Sequence, residues 1–532
     1  MDFLRMLPVL VLAPFLFFGV GLPWAIACRQ PAWAPLWGVA VMGFAAELAC
    51  IAGVSVPVVV AAVGTVHLGA GMWLGLRTQS HHAAGVAFAS FGQMYLLALI
   101  PFVVAPFATP GLWSMDWFLT LEGGLHVWQG TPFTPELLAR PPFFGAAAIP
   151  LLLAGPLLPA FQAFCAVASA CALQSFRMAL PASAPPATVW VLAASLFFLQ
   201  VSLNAWPKFL SAAFLLAAWE ALLLAGRARP VLAGIFFGLA LATHQAAVLF
   251  APVLLVRFLD VPASGRVRLA GLGIVTALAA LVVLPWETYT VAAYGWAAKV
   301  HANPVVAQRL LEIPAWLNAA LVGLGTFVGW GPLHVLQHWW HLPDRMAFSR
   351  IFQESYWLVT STFNSLAASL LGLVLPWWVA LGVREFPRRL AAGWRQTGWP
   401  MRAALALALA GQMGLNPYYS TDGSMHTGWV PAGLALALWF AGELAAGPAF
   451  ELGAVVRWTL VLGAFPWVVF QVALTAALVL SAKFRSVYLD TDLQLIEKHG
   501  WTTVALGGFP WVQGTAALVG VLAGRLPRRC LA

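Results

Sequence analysis

The chain has 532 residues, 62% hydrophobic and 8% charged, against about 25% charged residues in an ordinary soluble domain. No single water-soluble core absorbs that much apolar surface, so a soluble globular fold is excluded. The formal charge of +9 does not signal nucleic acid, because the basic residues are scattered singly through turns rather than gathered beside aromatic stacking partners.

Long apolar stretches set the fold class. Leu7 to Ala27, Phe209 to Leu224 and Val461 to Leu480 carry no charge except Glu220, close in length to the roughly 20 residues that cross a bilayer core. Backbone groups in lipid are satisfied within helices or closed barrels, and runs this long exclude short alternating barrel strands. The expected class is all-α, a polytopic transmembrane helical protein. In chain order, spans fall near 6–27, 35–53, 55–76, 83–108, 157–178, 186–203, 208–226 and 231–243. They continue near 245–257, 269–287, 357–383, 402–416, 428–446, 457–481 and 506–525, about fifteen in all. The short pair around His244 reads as one kinked helix or a re-entrant pair, and 314–336 as an interfacial or spanning segment.

The whole of 1–532 reads as one integral membrane domain: N-terminal helices to 108, an extracytoplasmic loop over 109–140, central helices to 383 and C-terminal helices from 384. The first run resembles a signal peptide. Ala25-Ile26-Ala27-Cys28 is a poor lipoprotein cleavage box, because Ala25 stands where a larger aliphatic residue is usual, and an uncleaved first helix is expected. The five cysteines, at 28, 50, 165, 171 and 530, lack CxxC spacing and read as small core residues.

Cytoplasmic turns are enriched in Lys and Arg. An outside N-terminus puts on one face Arg29, Arg77, Arg177, the Arg227/Arg229 and Arg257/Arg266/Arg268 groups, Arg384 to Arg395, Arg457 and the Arg525 to Arg529 tail. The C-terminus is then cytoplasmic and the expected location a cell inner membrane. The other face receives Asp116, Glu122, Glu136, Glu287, Glu312, Asp422, Asp490 and Asp492, with scattered cations including Arg140, Lys208 and Lys299. No repeat of fixed period or half-to-half symmetry is visible.

The first long outer loop holds the densest chemistry: Trp113-Ser114-Met115-Asp116-Trp117, then Glu122, His126, Gly130 and Arg140-Pro141-Pro142-Phe143-Phe144. An acid beside two Trp residues at a membrane edge is a partly desolvated carboxylate that can act as a base. Asp116 reads equally as the cap of a short interfacial helix with Glu122 in its second turn.

These stretches resemble the polyprenyl-phosphate-sugar-dependent glycosyltransferases of the C-type superfold, which include the protein mannosyltransferase and aminoarabinose transferase relatives. In many bacterial members an Asp early in the first large extracytoplasmic loop is followed by a Gly and an Arg-Pro-Pro-(Leu/Phe)-(Tyr/Phe) run. Asn204-Ala205-Trp206-Pro207-Lys208 is similar to the segment that sets a basic residue at the outer end of a helix, and Gly238-Leu239-Ala240-Leu241-Ala242-Thr243-His244 to a Gly-Leu-Ala-x-x-x-His turn. The resemblance covers roughly residues 110–260 by motif and the remainder by architecture.

It implies an inverting glycosyltransferase, with Asp116 as the base that takes the acceptor proton and Arg140 and Lys208 binding the lipid phosphate. Glu122, His126, His244, Asp422 and His426 join them as substrate-binding candidates. The donor is a polyprenyl-phosphate sugar and the acceptor is extracytoplasmic; the other partners are membrane lipids. The loop lacks the paired acids of many members, so no residue is assigned to a metal and a divalent metal has no support in this pattern.

From the residues alone, Arg140 and Lys208 also fit interfacial cations snorkelling at helix ends, and His244 a satisfied polar group at a helix kink. Glu122 and His126 also fit hydrogen bonds within the loop. Glu287, Tyr289 and Tyr294 open a later outer loop and fit either a sugar pocket or interfacial anchoring. The His338 to His341 tract fits an aromatic belt better than a metal site. No phosphate-cradling Gly-rich turn is present, which suits a lipid-linked donor. The rival classes are a transporter or flippase of lipid-linked saccharides and a non-catalytic envelope-assembly subunit.

Overall fold

A computed structural model describes residues 2–77, 81–104, 115–138, 140–154, 157–180, 188–193, 195, 198, 202, 207–224, 226, 228–262, 264–302, 315–328 and 369–415. Every regular element among them is helical. The first four, α1 (Asp2–Ala27), α2 (Ala34–Ile51), α3 (Val56–Arg77) and α4 (His81–Val104), follow the first four apolar runs to within a few residues. Three helices then occupy the region expected as an outer loop and its exit: α5 (Met115–Gln129), α6 (Pro135–Leu138) and α7 (Phe143–Leu152). The centre holds α8 (Leu157–Ala179), α9 (Thr188–Ala193), α10 (Lys208–Ala221), α11 (Ala228–Thr243), α12 (Ala251–Asp260), α13 (Gly265–Tyr294) and α14 (Trp296–Ala302). After these come α15 (Ala315–Val328), α16 (Leu370–Gln396) and α17 (Trp399–Leu415).

Five helical stretches, Leu7–Ala27, Pro31–Ile51, Val56–Gly75, His81–Leu99 and Gly265–Tyr294, are long and apolar enough to cross a membrane. This is the architecture of a helical membrane protein. The surface agrees with it: on α13, Leu269 is 73% exposed and Leu281 66%. Such a face is costly in water and at home in hydrocarbon.

Small residues hold the helices together, as expected where lipid gives no hydrophobic drive for association. Gly21 and Gly38 let α1 and α2 meet backbone to backbone; an added Cβ on Gly38 would overlap the Phe17 carbonyl, and one on Gly21 the Ala34 carbonyl. The Ala-, Ser- and Cys-rich α8 is buried along nearly its whole length and packs on α1, α4, α7 and α10. Ser90 of α4 joins two polar groups of α8, its Oγ donating to Gln174 Oε1 at 2.9 Å while Arg177 Nη1 donates to Ser90 Oγ at 3.0 Å.

Helix directions fix which residues share an end of the bundle. α11 and α13 run parallel, with Gly234 against Val275 and Leu278 and Gly238 against Ala279 and Val282. α10 runs antiparallel to α11, Ser211 Oγ donating to Ala240 O at 3.1 Å. α2 starts beside the middle of α11, where Trp33 and Trp37 lie 4.9 and 5.1 Å from Phe236, and carries Glu47 up to within electrostatic reach of Glu287. One end therefore holds Glu47, Lys208, Thr243 and Glu287. The opposite end holds Glu220, Arg229, Phe258 and Gly265.

Of the two readings of the pair around His244, the structure shows the returning pair: α11 ends at Thr243, a 3-10 stretch Gln245–Phe250 turns the chain, and α12 returns until Arg229 Nη2 donates to Phe258 O at 2.6 Å. Two helices, α7 and α16, depart from the sequence reading. Helix α7 lies outside every expected span because it is only 10 residues long and contains Pro150, yet it is among the most buried elements. Helix α16 runs through Arg384, Arg388, Arg389 and Arg395 instead of ending in a basic turn near 383; Arg389 Nε donates to Glu385 Oε1 one turn back at 2.9 Å, the spacing that supports helix. Within 314–336, residues Ala315–Val328 are helical. The expected spans at 428–446, 457–481 and 506–525 lie outside the described residues, as do most of 186–203 and the His338 to His341 tract.

Candidate functional site

The expected catalytic loop is largely helix. In α5, Leu121 and Leu125 one turn apart are buried, and so is Val127, giving the segment an apolar face to pack. Asp116 falls in the first turn of α5, one turn before the buried Thr120; its side chain is outside what the structure describes. A position inside the first turn makes it an acid favoured by the helix dipole, while residues 111–114, where a cap would sit, lie outside the described residues.

α5 crosses α7 at two glycines. A Cβ added to Gly124 would stand 2.6 Å from the Gly145 carbonyl carbon, and one on Gly145 2.7 Å from Gly124 N. The same crossing brings Pro142 against Gly123, so the Arg-Pro-Pro run folds back on α5. Arg140, half-buried, sits between α6 and the Pro142 that precedes α7, its backbone N–H donating to Leu137 O at 3.1 Å.

Glu122 is 6% exposed, and its carboxylate lies 3.9 Å from His126 Nε2, a pairing set by the i, i+4 spacing. Nδ1 of His126 shares a 2.8 Å hydrogen bond with Thr131 Oγ1. Gly130 turns the chain here: with φ +64° it ends α5, and Thr131 N–H reaches back to His126 O at 3.2 Å, closing the helix terminus. Replacing Gly130 by Ala forces a left-handed backbone on a residue with a Cβ. The expected cost is about 1–2 kcal/mol, read as a lowered melting temperature of the purified chain with its helix content unchanged.

The segment beyond Gly130 docks onto the far end of α13. Phe133 N–H donates to the Tyr294 hydroxyl at 2.8 Å, and the Phe133 ring lies 5.2 Å from Trp286 and 5.5 Å from His126. Beside it Lys299 Nζ bridges both carboxylate oxygens of Glu287, at 3.3 Å from Oε1 and 3.2 Å from Oε2. Glu47, 4% exposed, approaches from α2. Reading the sequence missed the Glu287–Lys299 pair and the Phe133–Tyr294 contact, although Glu287, Tyr294 and Lys299 were all placed on the same face; the pairing depends on the turn at Gly295, φ +85°.

Lys208 opens α10 just after Pro207 and is 7% exposed. That depth does not fit a cation simply snorkelling to water. His244 caps the 3-10 turn, its Nδ1 accepting from Ala246 N–H at 3.1 Å, which is the satisfied-kink role. Lys208 lies at the same end of the α10–α11 pair. Asp422 and His426 lie outside the described residues.

Glu122, His126, Arg140, Lys208 and His244, drawn from separate stretches of sequence, thus belong to the bundle end that also carries Glu47, Glu287 and Lys299. Among the described residues no three His, Cys, Asp or Glu side chains gather as a metal ion would need. Compared with known proteins, the chain matches no family model, no curated protein and no solved structure.

Proposed function

We propose that this chain is an inverting membrane glycosyltransferase that moves one sugar from a polyprenyl-phosphate donor to an extracytoplasmic acceptor, with a C-type arrangement of about fifteen spans. What supports the reading is the gathering of the polar candidates, carboxylates, imidazoles and cations together, at one end of the bundle. Polar groups within or beside membrane helices are costly and are kept where they handle a substrate. On this reading that end faces the outside of a cell inner membrane, the N-terminus lies outside and the C-terminus lies in the cytoplasm.

In the reaction, the Asp116 carboxylate accepts the proton of the acceptor hydroxyl while that oxygen attacks the anomeric carbon. The bond from the anomeric carbon to the phosphate oxygen breaks, and polyprenyl phosphate leaves with the electron pair. Arg140 offers a planar fork and Lys208 a point charge to that phosphate, in a site where low dielectric strengthens both. Glu122, His126 and His244 line the sugar's approach, with Asp422 and His426 as further contacts.

The test is transfer of radiolabelled sugar from a panel of polyprenyl-phosphate sugars in membranes with and without the chain. Label is expected in an acceptor from one donor class. Movement of labelled donor across the bilayer with no transfer to an acceptor would overturn the reading in favour of a flippase.

A further inference from the structure

The end of the bundle opposite the proposed catalytic groups carries a cluster of arginines from three separate elements. Arg229 comes from the start of α11, Arg257 from the last turns of α12 and Arg268 from the first turn of α13. All three are half-buried. Burial, and then the charges of Arg257 and Arg268, pull the Arg229 guanidinium below its ordinary pKa, so Arg229 lies within electrostatic reach of both other guanidinium groups.

Part of the cluster has a structural explanation. Arg229 Nη2 donates to Phe258 O at 2.6 Å and Arg268 Nη2 to Val261 O at 3.4 Å, tying down carbonyls at the end of α12 as basic side chains commonly do. That uses one N–H of each, and a guanidinium has five. Arg257 is not explained this way: its guanidinium lies 5.0 Å over the Trp219 ring and makes no hydrogen bond among the described residues. The Nε atoms of all three arginines are buried and lack a hydrogen-bond partner among the described residues. No carboxylate among the described residues forms an ion pair with any of the three; Glu220 is within electrostatic reach of Arg257, which leaves the cluster net positive. Three like charges held together at a membrane edge, with donors to spare, are electrostatically unfavourable until an anion joins them.

We infer that Arg229, Arg257 and Arg268 form a binding site for a phosphate-type oxyanion at the membrane edge, separate from the proposed sugar-transfer site. A tetrahedral oxyanion suits several converging guanidinium forks, and apolar helix surface beside the cluster, Leu255 and Leu259 of α12 being exposed, suits the acyl chains of an anionic phospholipid. The two sources of that chemistry are a lipid headgroup and free phosphate.

The experiment uses the purified full chain in nonionic detergent, with phosphatidylglycerol, phosphatidylcholine and inorganic phosphate as probes. Bound lipid is read by native mass spectrometry and stability by melting. Phosphatidylglycerol is expected to be retained about ten-fold over phosphatidylcholine, the equivalent of one good charge-assisted contact, and R229Q/R257Q/R268Q to lose that preference. Because the triple variant also removes the contacts to Phe258 and Val261, Arg257→Gln alone is the cleaner probe: it breaks no hydrogen bond among the described residues, loses only the ring contact to Trp219 and the attraction to Glu220, and is expected to cut retention about three-fold with a small change in melting temperature. Retention of phosphatidylglycerol that inorganic phosphate does not displace assigns the site to a lipid headgroup. Stabilisation by inorganic phosphate in the wild type but not in Arg257→Gln assigns it to a soluble oxyanion. If Arg257→Gln and the wild type bind both probes equally, the inference is overturned.

Discussion

Asp116→Asn is expected to lower sugar transfer by about 10²–10⁴-fold while the chain still inserts and folds. The swap keeps the size and hydrogen-bonding reach of the side chain but removes the proton acceptor. Its place in the first turn of α5 makes the variant interpretable: the helix loses one favourable acid–dipole contact, worth about 0.3–1 kcal/mol, too little to unfold the bundle. Retention of donor binding, measured separately with a labelled polyprenyl-phosphate sugar, would confine the defect to the chemical step. Transfer equal to wild type would remove Asp116 from the mechanism. The same comparison separates the rival classes, since neither a flippase nor a structural subunit moves sugar to an acceptor whatever stands at 116.

Gly145→Ala is the second large effect, and it acts through backbone geometry. The added Cβ would meet the Thr120 carbonyl and stand 2.9 Å from the Gly124 Cα, and neither backbone can swing aside as a flexible side chain would. Helices α5 and α7 must part. The cost is expected at or above the upper part of the about 1–3 kcal/mol usual for overpacking, read as a lower melting temperature and reduced recovery of monodisperse protein. Gly92→Ala on α4 is the matched control, because a Cβ there has nothing within 4 Å, and it is expected to be neutral or slightly stabilising through better helix propensity. Since α5 carries Asp116, the surviving folded fraction of Gly145→Ala is also expected to transfer sugar more slowly, by about 10²-fold for a displacement near 1 Å. Normal transfer per folded molecule would mean that the α5–α7 crossing does not position the reacting group.

The candidate site was legible unevenly. Glu122 and His126 could be paired from their spacing, because i and i+4 on a helix are neighbours wherever that helix sits. Gly130 stood out as part of a motif, and the structure gives it a local task at the end of α5. Phe133 and Tyr294 are 161 residues apart and meet only because the segment after α5 lies on the end of α13. No periodicity announces such a contact. The arginines at 229, 257 and 268 were each recognisable as basic turns on one face, but that they converge follows from α12 folding back along α11.

By itself the sequence determined the solvent and the kind of element. Length and apolarity are local properties, and a backbone in lipid leaves the chain little choice but helix. The first four runs accordingly appear as helices at nearly the positions expected, and α13 leaves large apolar side chains such as Leu269 and Leu281 exposed. Tertiary structure alone decided which helices touch. Where lipid is as apolar as the helix surface, association depends on close approach at small residues such as Gly21 with Gly38 and Gly124 with Gly145. A glycine in a string of letters does not say which distant glycine it will face, and it is that pairing which sets where Lys208, His244, Glu287 and the arginine cluster lie.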